Sequence, residues 1–168
     1  MKTILSFFVL LSALTMQAQN EYVKTGDKVP DFTVAMFDGT TVNIKDLQGK
    51  VVLLNFWATW CPPCRQEFTR VEKEIIERFK NDAFVFLPIS RGENREALQK
   101  FRETTGYTFP MGMDSERTIF SKFADQSIPR SYLLDKSGKI IEIEIGYSNK
   151  QFNRLIKKIE KALKYAEH

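Results

Sequence analysis

Cysteine is almost absent from this chain: there are two in 168 residues, Cys61 and Cys64, and one histidine, His168. That scarcity excludes a framework of several disulfide bridges. A structural zinc site needs about four ligands, and His168 at the far end is the one further candidate. Charge of one sign is also lacking. The 25 Lys and Arg and 21 Asp and Glu are spread along the chain to a formal +4, without a basic block or basic-aromatic stripe. Nucleic acid is therefore not expected as a partner. Internal repeats and low-complexity linkers are missing too. What remains, 43% hydrophobic and 27% charged with two tryptophans, is enough to bury one core.

The first twenty residues, MKTILSFFVLLSALTMQAQN, carry Lys2, then the apolar run from Ile4 to Leu14, then small and polar residues to Ala18. That layout predicts a secretory signal peptide over residues 1–18, cut after Ala18. Its apolar run is well short of the ~20 residues that span a bilayer. Removing Lys2 with it takes the formal charge from +4 to +3 and leaves residues 19–168, a length suited to one domain. An exported protein permits disulfides, yet there is no second pair here to act as a staple. A bridge closing a four-residue loop constrains the unfolded chain least. Chemistry explains the pair better than bracing does.

Along the expected mature chain, DFTVAMFDGTTVNI alternates apolar and polar residues around Asp38-Gly39, which predicts a β-hairpin. KVVLLNFW is a near-continuous apolar run, as for a strand covered on both faces. Phe68, Val71, Ile75 and Phe79 then recur at helical spacing. AFVFLPIS predicts a second buried strand that ends, bulges or lacks one neighbour at Pro88. Short helices are expected over Asn94–Thr104 and Ser115–Phe123. SYLLD and KIIEIEIG, joined by Lys136-Ser137-Gly138, predict a second hairpin, and Phe152, Leu155, Ile156, Ile159 and Leu163 a last amphipathic helix. Strands alternating with helices imply an α/β fold, a mixed central sheet with helices on both faces and an N-terminal β-hairpin extension.

In FWATWCPPCRQEF, a strand running into a helix places Cys61 at the helix N-terminus. Free amides and the positive end of the helix dipole there favour a thiolate. Cys64, one turn on, is within reach to close a disulfide. Pro62 and Pro63 suit the first turn, where N–H groups have no intrahelical acceptor. Neither offers an amide to the Cys61 sulfur, so only a moderate stabilisation of its thiolate is expected.

NFWATWCPPCRQEF followed far downstream by SIPRSYLLD resembles the thioredoxin superfamily, and within it the exported thiol-disulfide oxidoreductases of the TlpA/ResA type. The resemblance extends from about Val29 to the C-terminus and implies a thioredoxin-like fold. It implies a cis peptide before Pro129, packed against the disulfide, with the backbone of Ile128 free to pair with a substrate strand. Glu67 matches the family's active-site glutamate three residues after Cys64, on the same helix face. A carboxylate there exchanges a proton with the resolving cysteine and raises thiol pKa values, although a solvated helix-face glutamate would look the same. Trp60 borders the expected cleft. Glu93 stands where the family has an acid near that cleft, and a plain loop glutamate explains it equally well. Arg130 departs from the threonine common after the cis-proline and would place a cation beside the disulfide, favouring anionic substrate segments. Asn55 replaces the buried aspartate of cytoplasmic thioredoxins, and Thr69 the proline that kinks the helix.

The expected activity is disulfide exchange, most simply reduction, with Cys61 attacking and Cys64 resolving, no metal and no cofactor beyond the dithiol. Protein disulfides and dithiols are the implied substrates, with a membrane-embedded electron donor as a further partner and a monomeric, periplasmic or otherwise extracytoplasmic protein. Two alternatives stand beside it. A thiol-dependent peroxidase of the redoxin type shares the hairpin and strand order, but has threonine or serine where Ala58 is. A redox-inert binding module would have no use for an intact Cys61, Cys64 and Pro129.

Overall fold

The computed structural model describes residues 20–80 and 83–164. The expected signal peptide over residues 1–18, its cut after Ala18, and His168 lie outside the described residues. Seven strands form one mixed sheet: β1 (Thr33–Met36), β2 (Thr41–Asn43), β3 (Val51–Trp57), β4 (Phe84–Arg91), β5 (Gly112–Asp114), β6 (Arg130–Leu134) and β7 (Ile140–Ile145). Their order is β2-β1-β5-β4-β3-β6-β7. The helices are α1 (Pro62–Val71), α2 (Arg95–Thr105) and α3 (Asn149–Lys164).

All seven residues of β3 are buried, which is why its sequence is a run of apolar residues rather than an alternation. It pairs in parallel with β4 and antiparallel with β6. The predicted hairpins are both present, β1 against β2 and β6 against β7. Pro88 does not end β4: it pairs with Asn55 of β3, while β5 joins the other edge only from Ile89 onward. The proline thus sits where the strand has one neighbour. β5 was not expected from the sequence. A side chain at Gly112 would bring its Cβ to 2.8 Å from Val34, so only glycine lets β1, β5 and β4 meet there.

Each sheet face carries a core. On one, Trp57, Leu53 and Leu133 pack against Phe68 and Val71 of α1, Leu98 and Phe101 of α2, and Phe152 and Ile159 of α3. Trp57 lies 4.7 Å from Phe68 and 5.0 Å from Phe101 between ring centroids. The other face, with Phe56, Leu54 and Tyr132, is covered by Val23, Phe32, Phe120 and Phe123. The helix expected over Ser115–Phe123 is only a 3-10 turn at Phe120–Lys122. Arg117 adopts φ 60°, which interrupts a right-handed helix, and the Asp114 carboxylate accepts from the amides of Ile119 and Phe120 in place of helix carbonyls. Among the described residues, helical cover of the second face is therefore two 3-10 turns, Ile44–Leu47 and Phe120–Lys122. After Val71 the α1 helix widens into a π-helical stretch, Glu72–Glu77, rather than running uniformly to Phe79.

Candidate active site

β3 delivers its chain to the front of α1, where Cys61 is the N-cap residue in an extended conformation and Pro62 and Pro63 fill the first turn. Because both prolines lack an amide hydrogen, the first N–H to reach the Cys61 sulfur is that of Cys64, at 3.3 Å. Cys61 and Cys64 are joined as a disulfide with their Cα atoms 5.3 Å apart. Both are buried, Cys64 completely, while Trp60 beside them stands 62% exposed. The Ile128–Pro129 peptide is cis. Its Ile128 carbonyl oxygen lies 3.7 Å from the Cys61 sulfur, and the Pro129 carbonyl accepts from the Gly146 amide at 2.8 Å. Cys61, Ile128 and Pro129 thus lie together, with Trp60 next to Cys61 in the chain.

Glu67 lies on the buried side of α1, 5% exposed. Among the described residues one group donates to it: Asn55 Nδ2, at 3.1 Å, which also donates to Ser131 Oγ at 2.9 Å. Burial pushes the Glu67 carboxyl up to about 7, against the weaker downward pull of the Asn55 hydrogen bond. The charged and neutral forms are therefore both accessible near neutrality. Asn55, noted in the sequence only as standing in place of a buried aspartate, and Ser131, directly opposite it on β6, were not expected as the polar partners behind Glu67. The signal was one polar residue inside an otherwise apolar buried run.

Two expected substrate contacts are corrected by the structure. Arg130 is 1% exposed and points to the sheet face opposite the disulfide, on the same side as Tyr132 and Phe56. Alternation along β6 dictates this, since Ser131 takes the disulfide side. Its charge is paired with Glu21, so it offers no free cation to a substrate. Glu93 is buried, and its carboxylate is taken up within the protein rather than offered to a substrate. It accepts from the Thr59 amide at 2.8 Å, from the Thr59 hydroxyl, and from Ser90 Oγ at 2.6 Å. It ties the loop before the disulfide to the end of β4.

Residues 25–143 match the model of the AhpC/TSA family. The chain belongs to that family. It is 34% identical over 143 residues to the thiol-disulfide oxidoreductase ResA of Bacillus anthracis, covering 84% of this chain and 82% of that protein. To the thioredoxin-like protein YneN of Bacillus subtilis it is 36% identical over 130 residues, 77% of this chain and 76% of the other. The solution structure of a candidate protein disulfide isomerase from Bacteroides thetaiotaomicron superposes with a TM-score of 0.83 at 37% identity, covering 88% of this chain and 95% of that one. This AhpC/TSA member has the thioredoxin-like α/β fold, and a thiol-disulfide oxidoreductase acting on protein dithiols and disulfides is what its fold, cysteine pair and relatives together describe.

Proposed function

We propose that the protein is an exported disulfide reductase in which Glu67 is the proton store for Cys64. The observation that carries this reading is the Cys61–Cys64 disulfide at the N-terminus of α1, 3.7 Å from the Ile128 carbonyl, and burial pushes the Glu67 carboxyl on the same helix up to about 7. In the reduced form the Cys61 thiolate, stabilised by the Cys64 amide and the α1 N-terminus, attacks one sulfur of a substrate disulfide. The substrate S–S bond breaks, its other sulfur leaves as a thiolate that takes a proton, and Cys61 holds the substrate as a mixed disulfide. Cys64 then gives its proton to Glu67 and attacks the Cys61 sulfur. The bond between Cys61 and the substrate breaks, the second substrate sulfur leaves as a thiolate that takes the proton held by Glu67, and the Cys61–Cys64 disulfide remains. Two electrons have passed to the substrate, and an external dithiol donor returns them. Asn55 suits this role because an amide donates to the carboxylate and, turned over, accepts from the carboxyl.

Trp60 and the Ile128–Pro129 backbone are the surface against which the substrate strand lies. With dithiothreitol as donor, the purified protein should reduce insulin, and Cys61→Ser should abolish this, a loss of at least about a thousandfold. Activity surviving that substitution would end the mechanism. The apolar leader supports export, with residues 19–168 as one thioredoxin-like domain. N-terminal sequencing of the exported protein should begin at Gln19, and a retained Met1 in the cytoplasmic fraction would refute it.

A further inference from the structure

A second polar cluster lies across the sheet from the disulfide and ends on the loop that touches it. Arg130 Nε donates to the Ser127 carbonyl at 3.2 Å, Nη2 to the Gln126 carbonyl at 2.9 Å, and Nη1 to the Glu21 carboxylate. The Tyr132 hydroxyl donates to the other Glu21 oxygen at 2.6 Å. The segment bearing Glu21 is itself fastened, with the Tyr22 amide on the Phe123 carbonyl at 2.8 Å and the Asn20 side chain on Asp125 at 2.9 Å. Gln126 and Ser127 directly precede Ile128, whose carbonyl faces Cys61. Ser127 holds φ 70°, a left-handed conformation that serine seldom adopts without support from its surroundings.

We propose that Glu21 and Arg130 form a clasp through which the N-terminal segment holds the Gln126–Ile128 backbone in the shape that receives a polypeptide substrate. Both are positioning residues: neither touches the reacting sulfurs. The planar guanidinium is what makes the clasp possible, since it serves two carbonyls and a carboxylate at once, a geometry an ammonium does not reproduce. Without the Glu21 charge, the buried guanidinium has lost its counter-ion and turns toward water, releasing the two carbonyls. A small disulfide needs only the Cys61 sulfur, whereas a polypeptide must also lie along the loop. Loosening the clasp therefore penalises the second and spares the first.

The clasp as a device for substrate binding rests on the exchange reaction proposed above, but its effect on the loop is measurable without any turnover. The test compares the full chain with its Glu21→Gln and Arg130→Lys variants by amide hydrogen exchange in the oxidised state. Glutamine fits because the Glu21 side chain is 26% exposed. Exchange at the Asp125 and Gly146 amides, which bond to Asn20 and Pro129 on either side of the loop, should rise about tenfold in both variants while β3 and α1 keep their protection. Unchanged exchange at both amides would overturn the clasp. In turnover, kcat/KM for insulin should fall about fivefold, chiefly through KM, with Ellman's reagent reduced within twofold of the wild-type rate. An equal fall for both substrates would mean a loss of folded protein and would also overturn it. A wild-type protein inert toward insulin would instead sink the reductase reading and leave the exchange result to decide on the clasp.

Discussion

Glu67 and Glu93 are both buried carboxylates, one behind the disulfide and one beneath the loop that leads into it, and they are built in opposite ways. Glu93 receives three donors from Thr59 and Ser90, so its oxygens are committed. Glu67 receives one, and burial dominates, holding its carboxyl at about 7. Desolvation raises a carboxyl pKa and donated hydrogen bonds lower it, so the ratio of the two decides what a buried acid is for. Many donors make a strut. One donor makes a group that changes charge near neutral pH.

The harshest way to break this comparison is to remove the strut. Glu93→Ala leaves the Thr59 amide and two hydroxyls without their acceptor, and the cost should be about 3–4 kcal/mol of unfolding free energy, read from urea denaturation. A loss under about 1 kcal/mol would mean that Glu93 holds nothing together.

A somewhat smaller effect tests Glu67 alone, by pH. Glu67 binds its proton more tightly folded, at about 7, than the 4.5 of an ordinary glutamate. Its contribution favours the folded state fully below pH 4.5 and is lost as pH rises through 7. The difference is about 3 kcal/mol. Glu67→Gln removes this group's titration, so stability measured for wild type and variant should converge on acidification, with the variant gaining relative to wild type from pH 4.5 to 8. A constant gap across that range would show that Glu67 is not desolvated.

Much of this arrangement is written in local sequence. β3, the two hairpins and α3 follow from runs and periods that no distant contact overrides. Cys61 and Cys64 stand out by their own spacing at the start of a helix, whereas Glu67 and Pro129 are picked out by the family resemblance. What was not legible depends on partners far apart in the chain. Arg130 reads as a free cation until Glu21, 109 residues earlier, is seen to pair with it. Glu93 reads as a loop acid until Thr59 and Ser90 close over it. β5 is three residues long, too short for a period of two to declare itself. The expected helix at Ser115–Phe123 has helical spacing of its apolar residues, but Asp114 captures the amides that would have started it.

The smallest effect is the most direct test of the charge that distinguishes Glu67. In the reduced protein its carboxylate shares a helix face with Cys64, in a region where burial weakens screening by water. A negative charge there opposes formation of a thiolate, and glutamine keeps the shape while removing the charge. The midpoint of cysteine alkylation by iodoacetamide should therefore move to lower pH in Glu67→Gln by about one unit, equivalent to about 1.4 kcal/mol between protonation states. The rate of disulfide attack at neutral pH should change less than the midpoint, because a thiol that ionises more readily is also a weaker nucleophile. Glu93→Gln provides the contrast: its carboxylate is held by Thr59 and Ser90 and lies on no helix shared with the thiols, so its alkylation curve should overlay the wild type. Superimposable curves for Glu67→Gln and wild type would show that the buried carboxyl does not communicate with the thiols, and the two acids would then differ in construction but not in purpose.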